Sequence, residues 1–477
     1  MIRVDIAADL NDEDESGFVW TFLDEARDPA LIVPGAIIIA GDPDTCAVAE
    51  VVDVAEKPAG TIVHLRLLPK AIDDYEAMVR RATPLRRSRL GQSDENVFQI
   101  IRTKRGEAQA KGTKLIDLSI GEPRGAALLS ARTAAAAAVM STDEAMHSYQ
   151  YNASPAVRDF APRFVQAHVS RALPAADVDY LPIPGIKPIL GLIPLACGCA
   201  ERRIKVATMT SPGYPTPVDW CKYHPLVEHD ALSLSPENAF RFGPDDIRPG
   251  TDLVMMNYPH NPSGQIATSE WLRQICAACS ERNIRLFNDA AYAVLSYTPE
   301  SATLTAVAPD YPDLSWAEAF TAAKLIGNGA GWHVGALVGS PDFIGDLKVV
   351  KGKTDTGFVA PMAAGVVAAF ESDQEGIARY RAMYRSRLDA FIKLLTGAGM
   401  RLALEPAAGF FTLWKVPTEA FGTAVTSAEH FNLMMIEATG VVGVHFPPYV
   451  RYAVCADVEA VAGDIEEAFR KARVSYG

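Results

Sequence analysis

Lys324 has the surroundings in this sequence that most favour covalent chemistry. It follows the largely apolar stretch 317–322 and Ala323, and Gly327 comes three residues later. Small neighbours let an amine approach a ligand closely, and a lysine held in this way can form a Schiff base with an aldehyde. A solvated loop lysine is the alternative, because lysine usually lies at the surface. The motifs upstream of Lys324 decide between these interpretations.

Apolar strand-like runs alternate with helical segments between about residues 180 and 340. The predicted strands that share this pattern are 180–183, 203–209, 252–257, 284–289, 317–322 and 333–338. This alternation is typical of a mostly parallel sheet covered on both faces. Ligands of such sheets bind beyond the carboxyl ends of the strands. Asn257, Asp289 and Lys324 all lie at or just past a predicted strand end, so we expect them at one site.

Further polar and aromatic side chains follow the same strand ends. Gly185-Ile186-Lys187-Pro188 opens an apolar helix after a strand, and free N–H groups at a helix start hold phosphate well. Tyr214 offers an aromatic ring in Ser211-Pro212-Gly213-Tyr214-Pro215, and Arg451 lies in a late predicted strand. Asp289 as a turn cap, Tyr292 as a core residue and Arg451 as a surface residue remain the alternatives.

The combination resembles the fold-type I, aspartate-aminotransferase-like (class I/II) family of pyridoxal 5′-phosphate (PLP) enzymes. The resemblance depends on Asn261-Pro262-Ser263-Gly264, on Asp289-Ala290-Ala291-Tyr292 and on Lys324 before Gly331-Trp332, and it covers about residues 94–473. It implies an α/β fold with a mostly parallel seven-stranded large domain and a small α+β domain. An additional N-terminal domain precedes them.

The resemblance also implies roles for individual residues. Lys324 would bond to the cofactor and move the Cα proton, Asp289 would pair with the ring nitrogen, and Arg451 would clamp the substrate carboxylate. The implied catalytic residues are Lys324, Asp289 and Tyr292. The implied cofactor-binding residues are Gly185, Ile186, Lys187, Tyr214, Asn261, Asp289, Tyr292, Thr321, Lys324, His333 and Tyr149. The implied substrate-binding residues are Gly121, Asn261 and Arg451, and no metal is implied.

Several positions depart from the family pattern near the cofactor or the substrate. His333 stands where the family has an arginine, Thr321-Ala322-Ala323 replaces Ser-x-Ser, and the stretch 445–448 before Arg451 is short. We expect an aminotransferase-like enzyme that acts on an α-amino acid through an external aldimine and Cα deprotonation. Elimination, γ-replacement or cyclisation, for example of S-adenosylmethionine, stays open because Lys324-x-x-Gly327 also resembles aminocyclopropane-carboxylate synthases.

Residues 1–83 differ in composition from the remainder. They carry 17 Asp and Glu against 7 Lys and Arg, and their β-rich runs at 36–40, 46–54 and 61–68 predict a small antiparallel sheet or barrel. Val63, Leu65 and Leu67 alternate with polar residues, as in a half-buried strand. We expect a packing or oligomer role, or a lid or second binding site. An aminotransferase-like sensor is disfavoured, because such regulators carry a basic DNA-binding front module.

The remaining boundaries and partners follow from length and charge. With 477 residues, we expect a linker and N-terminal segment at 84–125, a PLP-binding large domain at 126–355 and a small domain at 356–477. Within the chain, local patterns predict a basic linker at 80–89, a helix N-cap at Ser93, a strand at 115–120 and helices at 126–140 and 269–282. Seven scattered cysteines in a long chain predict a cytoplasmic protein, and their spacing predicts no metal site. The absence of a long apolar run predicts no membrane span, and the acidic start predicts no signal peptide. The net charge of −13 predicts no nucleic-acid partner. The resemblance implies a homodimer, in which Tyr149 or Tyr151 reaches the neighbouring subunit's phosphate.

Overall fold

The computed structural model describes residues 4–14, 17–42, 45–58, 60–69, 97–173 and 177–477, with only the backbone at 98 and 99. The chain divides into two compact units, Met1–Asp94 and Glu95–Gly477, which are described separately. The basic linker expected at 80–89 and the expected helix N-cap Ser93 lie outside the described residues. No helix among the described residues is long and apolar enough to cross a bilayer.

The first unit is a five-stranded sheet. Its strands are β1 (Ile6–Ala7), β2 (Val19–Phe22), β3 (Ile37–Gly41), β4 (Cys46–Lys57) and β5 (Gly60–Leu67). They lie in the order β1-β3-β4-β5-β2, and only the β1–β3 pair is parallel. Val63 and Leu65 are fully buried, as expected. The prediction was wrong for Leu67, which is 37% exposed because it ends the strand beyond the core.

The second unit begins with elements that lead to the large sheet. They are α1 (Val97–Ala110), β6 (Ile116–Asp117), α2 (Leu129–Val139) and α3 (Phe160–Gln166). The strand expected at 115–120 is only two residues long, because it pairs with the two-residue partner Val441–Val442. The helix expected from residue 126 begins later, since Leu128 N–H donates to the Ile326 carbonyl and Ala127 forms a bridge with Gly327.

Seven strands form the central sheet. They are β7 (Asp179–Ile183), β8 (Ile204–Ser211), β9 (Val227–Ser233), β10 (Leu253–Met256), β11 (Arg285–Asp289), β12 (Trp316–Thr321) and β13 (Gly335–Gly339). Their order is β7-β13-β12-β11-β10-β8-β9, and only β13 runs antiparallel to its neighbours. The expectation of a mostly parallel seven-stranded sheet is therefore confirmed.

Both faces of this sheet are covered. Leu253 and Met255 pack into one hydrophobic layer, whereas Val254 and Met256 of the same strand pack into the other. The two layers follow from the two-residue period of a strand whose side chains are all apolar. The helices that follow strands of this sheet along the chain are α4 (Ile186–Leu190), α5 (Ile193–Ala196), α6 (Thr216–Lys222), α7 (Ser269–Glu281) and α8 (Pro341–Lys351). The expected helix at 269–282 is confirmed.

The C-terminal part combines long helices with short strands. Its elements are α9 (Ala360–Ser372), α10 (Gln374–Gly397), β14 (Phe411–Lys415), β15 (Glu419–Ala420), β16 (Thr423–Ala424), α11 (Ala428–Thr439), β17 (Val441–Val442), β18 (Val444–Phe446), β19 (Tyr449–Ala453) and α12 (Ala462–Ala472). Strands β14, β19 and β18 form an antiparallel sheet with β19 in the centre. The expected α+β content is confirmed, and the expected boundaries at residues 125 and 355 stay predictions.

Candidate active site

The ends of three neighbouring strands bring three residues expected at one site to the same edge of the sheet. Asn257 directly follows β10, Asp289 is the last residue of β11, and Lys324 lies three residues after β12. The register pairs Met256 with Asn288, and Asp289 with Ala319. Because β10, β11 and β12 are parallel, these carboxyl ends lie side by side, as expected.

The Lys324 amine is unusual for a lysine. Its Nζ lies 5.3 Å from the centre of the Tyr292 ring, and it has no hydrogen bond or ion pair with any described residue. Burial lowers the pKa of Lys324 below its ordinary value, and the negative charge of Asp289 partly opposes this shift. A larger fraction of neutral amine makes Lys324 a better nucleophile at neutral pH.

Asp289 provides a buried carboxylate close to this amine. Its Oδ1 accepts a hydrogen bond of 3.0 Å from the Ala291 N–H, and its backbone carbonyl accepts one of 2.9 Å from Asn257 Nδ2. Burial raises the pKa of Asp289 to about 6, although the Ala291 N–H and the charge of Lys324 lower it. A cationic partner at this position would restore the ionised form, so the site favours a protonated nitrogen.

Two tyrosines border the same space. The Tyr292 ring packs edge-on against Phe410 and Phe411, with centres 5.5 and 5.4 Å away, while its hydroxyl makes no hydrogen bond with the described residues. Tyr214 follows β8 and is half-buried. Burial is the main cause that raises the pKa of Tyr214, and Asp289 contributes a smaller part.

Arg451 lies on the central strand β19 and is 2% exposed. Its Nη1 donates to Asn261 Oδ1 at 2.9 Å, and its Nη2 donates to the Ser119 carbonyl at 2.7 Å. Phe411 and Phe446 lie 4.2 and 5.2 Å from the guanidinium carbon, measured to the ring centres. Burial lowers the pKa of Arg451 to about 10, so the group stays charged at neutral pH.

Gly121 lies directly beside this arginine pocket. A Cβ at this position would come within 2.6 Å of Phe411 Cζ. The absence of a side chain therefore lets the backbone approach the ring that packs against Arg451. The Arg451 Nε, in contrast, is buried and has no hydrogen-bond partner. The pocket retains donor capacity for an anionic ligand.

The residues predicted to hold a phosphate gather at the neighbouring strand ends. Register pairs Thr321 with Gly335, and Gly335 with Ile183. Gly185 follows Ile183 by two residues and His333 precedes Gly335 by two, so Gly185, His333 and Thr321 lie at the same edge. Gly185 has a φ of 97°, a conformation that glycine adopts without strain. The Thr321 hydroxyl accepts a hydrogen bond from the Ala323 N–H.

The remaining predicted residues differ in burial. Ile186 starts α4 and is buried, whereas Lys187 is exposed. Tyr149 and Tyr151 are 66% and 56% exposed, and their rings are 5.6 Å apart in an edge-to-face arrangement. Both rings are therefore accessible from outside the protomer.

The comparison with protein families decides which enzymes this chain is related to. The model described as "Aminotransferase class I and II" matches residues 113–462, which is most of the chain. The chain belongs to this family. Members of the family are PLP-dependent enzymes, so the expected PLP cofactor and the expected family are confirmed.

Individual aminotransferases cover different shares of the chain. LL-diaminopimelate aminotransferase from Methanocaldococcus jannaschii is 28% identical over 261 residues, 52% of this chain and 60% of that protein. The match thus spans about three fifths of that relative's length. The enzyme of the same name from Syntrophobacter fumaroxidans is 25% identical over 398 residues, 78% of this chain and 94% of that protein.

Solved structures share the fold. Aspartate aminotransferase from Rhizobium meliloti superposes with a TM-score of 0.71 at 18% identity, and the match covers 81% of this chain and 98% of that one. At this level of identity the likeness shows the fold alone. The expected fold-type I PLP transferase fold is confirmed.

The donors and acceptors of the aminotransferase site fit PLP. The Lys324 amine and the Tyr292 hydroxyl have no hydrogen-bond partners among the described residues. A PLP aldehyde and the adjacent ring oxygen match these two groups, and its cationic ring nitrogen matches the buried carboxylate of Asp289. The residues present therefore suit the cofactor that the family uses.

Several contacts in the site come from residues that the sequence motifs did not single out. Ser119 supplies a backbone carbonyl, and Phe411 and Phe446 supply rings to Arg451. Glu318 is a fully buried acid within β12. A lone charged residue inside an apolar predicted strand was the available signal for Glu318. The two phenylalanines gave no comparable signal, because apolar side chains are common in every strand.

Proposed function

We propose that this protein is a PLP-dependent aminotransferase that acts on an α-amino acid. The observation that carries the proposal is the unpartnered Lys324 amine beside the buried Asp289 carboxylate, with Arg451 near the same space. An amine, an acid and a fixed guanidinium are the three groups that this chemistry requires of the protein. The match to aminotransferases supports the same reaction class.

The cofactor, when bound, supplies an electron sink that stabilises negative charge at the substrate Cα. Asp289 would keep the ring nitrogen protonated, because an ionised carboxylate attracts a cation at that point. Lys324 would hold the cofactor and, once its amine is free, would take the proton from Cα and deliver it to the cofactor carbon rather than back to Cα. The pKa of its amine, lowered by burial, suits this task, since a fully protonated amine could not accept a proton.

Arg451 binds and orients the α-carboxylate of the substrate. Its Nη1 and Nη2 are fixed by Asn261 and by the Ser119 carbonyl, and Phe411 packs against the guanidinium plane. The substrate therefore meets a group whose orientation is already set, which reduces the entropy lost on binding. Gly121 brings backbone to the same carboxylate.

We propose that the working enzyme is a homodimer with two-fold symmetry. The exposed pair Tyr149 and Tyr151 supports this arrangement, because one hydroxyl can then reach the phosphate bound by the partner. In each protomer, Lys187, Thr321 and His333 would surround the phosphate bound in that same protomer, from the strand ends. The substrate is a small-molecule amino acid.

The substrate proposal begins with the names of the relatives. Both relatives described above are LL-diaminopimelate aminotransferases, so LL-diaminopimelate is the first amino acid to test. L-Glutamate and L-aspartate are the second and third, because they carry a second carboxylate as LL-diaminopimelate does. Arg451 would bind the α-carboxylate in each case.

Elimination or cyclisation has less support than transamination. Its sequence signal was the glycine three residues after Lys324. Gly327 has a φ of 79°, and a Cβ there would lie 2.6 Å from Tyr380 Cζ. The glycine therefore has a structural reason that does not depend on the reaction. Transamination remains the proposal.

The test is a single turnover without a keto acid. The holoenzyme is mixed with each amino acid, and the visible spectrum of the cofactor is followed. Transamination converts the cofactor stoichiometrically to its pyridoxamine form, and a keto acid reverses the change. Release of a side-chain fragment with the PLP form retained would establish elimination or cyclisation instead. An unchanged spectrum with every amino acid tested, S-adenosylmethionine included, would contradict both.

A further inference from the structure

Glu318 is a buried carboxylate that the proposed chemistry does not use. It is 0% exposed in the centre of β12, and no described cation lies within ion-pair distance of it. Its Oε1 accepts hydrogen bonds from Asn288 Nδ2 at 2.7 Å and from the Leu304 N–H at 3.0 Å. Its Oε2 accepts two of 2.6 Å from Thr305, one from the N–H and one from the hydroxyl.

These contacts satisfy the hydrogen-bonding capacity of the Glu318 carboxyl. Burial raises its pKa, and the hydrogen bonds from Thr305, Asn288 and Leu304 partly oppose this rise. The Asn288 amide and the two backbone N–H groups can only donate, whereas the Thr305 hydroxyl can donate or accept. The four contacts therefore hold Glu318 in either protonation state, and a buried polar network of this kind specifies one arrangement.

Asn288 connects Glu318 to the loop that follows β10. Its Oδ1 accepts from the Tyr258 N–H at 2.9 Å, and its Nδ2 donates to the Tyr258 carbonyl at 3.1 Å as well as to Glu318. Tyr258 lies two residues beyond the end of β10. The side chain thus continues the pairing of β10 and β11 past the point where the backbone ladder stops.

The loop held by Asn288 also carries the groups that face the substrate. Asn257 Nδ2 donates to the Asp289 carbonyl at 2.9 Å, and Asn257 Oδ1 accepts from the Asn261 N–H at 3.0 Å. Asn261 Oδ1 then accepts from Arg451 Nη1. Two sets of hydrogen bonds, joined by the peptide bond between Asn257 and Tyr258, therefore connect Glu318 with Asp289 and Arg451.

We propose that Glu318 and Asn288 are positioning residues that fix Asp289 and Asn261 relative to each other. Neither touches the cofactor or the substrate. Glu318 orients the Asn288 amide, Asn288 holds the backbone of Tyr258, and this holds the loop that carries Asn261. The pair thereby fixes Asp289, which would keep the cofactor ring protonated, relative to Asn261, which orients Arg451. The role in turnover rests on the proposed function, whereas the role in cofactor binding rests on the fold family alone.

The test compares changes on the two sides of the Glu318 carboxylate. Asn288→Ala and the milder Asn288→Ser remove the link to Tyr258. Thr305→Val removes a donor on the side away from the active site and is the matched structural control. Three quantities are measured for each: the melting temperature, the dissociation constant of PLP from the apoprotein by fluorescence quenching, and kcat with KM.

We expect all three variants to melt at lower temperature than the wild type. The Asn288 variants should also raise the PLP dissociation constant and lower kcat by at least about tenfold each, because small displacements of reacting groups are costly. Thr305→Val should leave both within about twofold. If Asn288→Ala does not fold, Asn288→Ser decides the same question.

Two results would overturn the positioning role. One is a folded Asn288 variant with wild-type PLP affinity and kcat, and the other is an equal loss in Thr305→Val. A wild-type protein that binds PLP but converts no amino acid would refute the proposed aminotransferase activity instead. The PLP dissociation constants would still decide the role of Asn288 in that case.

Discussion

Arg451→Lys is the substitution that should separate substrate recognition from cofactor chemistry. Lysine keeps the positive charge, but it offers one nitrogen where arginine offers a planar fork. Arg451 Nη1 donates to Asn261, and Nη2 donates to the Ser119 carbonyl. Phe411 and Phe446 pack against the planar guanidinium group. A lysine cannot satisfy both partners and a substrate carboxylate together. We therefore expect weaker binding of the carboxylate in the transition state.

The size of the effect follows from the number of contacts. At least one charge-assisted hydrogen bond to the substrate is lost, which is worth about 1.5–3 kcal/mol. Since about 1.4 kcal/mol corresponds to a factor of ten, kcat/KM for an α-amino acid should fall about 10- to 150-fold. Lys324 and Asp289 are unchanged, so the absorbance of bound PLP should remain near that of the wild type.

The assay measures kcat/KM for an amino acid and, in parallel, for the amine that lacks its α-carboxylate. Arg385→Lys is the control, because Arg385 pairs with Asp389 and Glu405 on the surface of α10. Arg451→Lys should lower the rate with the amino acid but not the rate with the amine. An Arg451→Lys protein within about twofold of the wild type on the amino acid would refute the assignment of Arg451.

Three further outcomes are expected. The pKa of Asp289 is about 6 in the folded apoprotein, and its ordinary value is 3.8. The contribution of Asp289 to the free energy of unfolding is therefore complete below pH 3.8 and is lost as the pH rises through 6, a change of about 3 kcal/mol. Asp289→Asn apoprotein should lack this loss in denaturant unfolding, and an unchanged pH profile would contradict the raised pKa. Gly327→Ala should lower the free energy of unfolding by about 1–3 kcal/mol, because Gly327 has a φ of 79°. Gly331→Ala is the control and should leave it unchanged, because a Cβ at Gly331 meets open space. Equal effects of the two substitutions would rule out backbone strain at Gly327. One of Tyr149→Phe and Tyr151→Phe should weaken PLP affinity about tenfold, and wild-type affinity in both would contradict a contact with the partner's phosphate.

Six strands of the large sheet could be predicted because they are mostly apolar and are separated by helical segments. The edge strand β9 was missed, because Glu228, His229 and Asp230 interrupt its apolar pattern. Strand ends were within a few residues of those found, since the sequence pattern changes there. The helix expected at 126 starts at Leu129 because Ala127 and Leu128 are bound to the loop after Lys324. That contact joins residues about two hundred positions apart, and local patterns carry no information about it.

The site was predictable where a motif places one side chain at a strand end, as for Asn257, Asp289 and Lys324. The partners of Arg451 were less accessible to sequence reasoning. The Ser119 contact uses a backbone carbonyl, which any residue provides. Phe446 and Phe411 approach Arg451 only because β14, β18 and β19 form one sheet. These contacts depend on tertiary packing rather than on residue type.

Borohydride reduction of the purified holoenzyme tests the central claim most directly. Reduction fixes the cofactor permanently to the lysine that bears it, and proteolysis followed by mass spectrometry identifies the modified peptide. We predict one PLP-modified peptide that contains Lys324, and no reducible cofactor in Lys324→Ala. Modification of a different lysine, or a reducible cofactor retained in Lys324→Ala, would contradict the assignment of Lys324 and the site built around it.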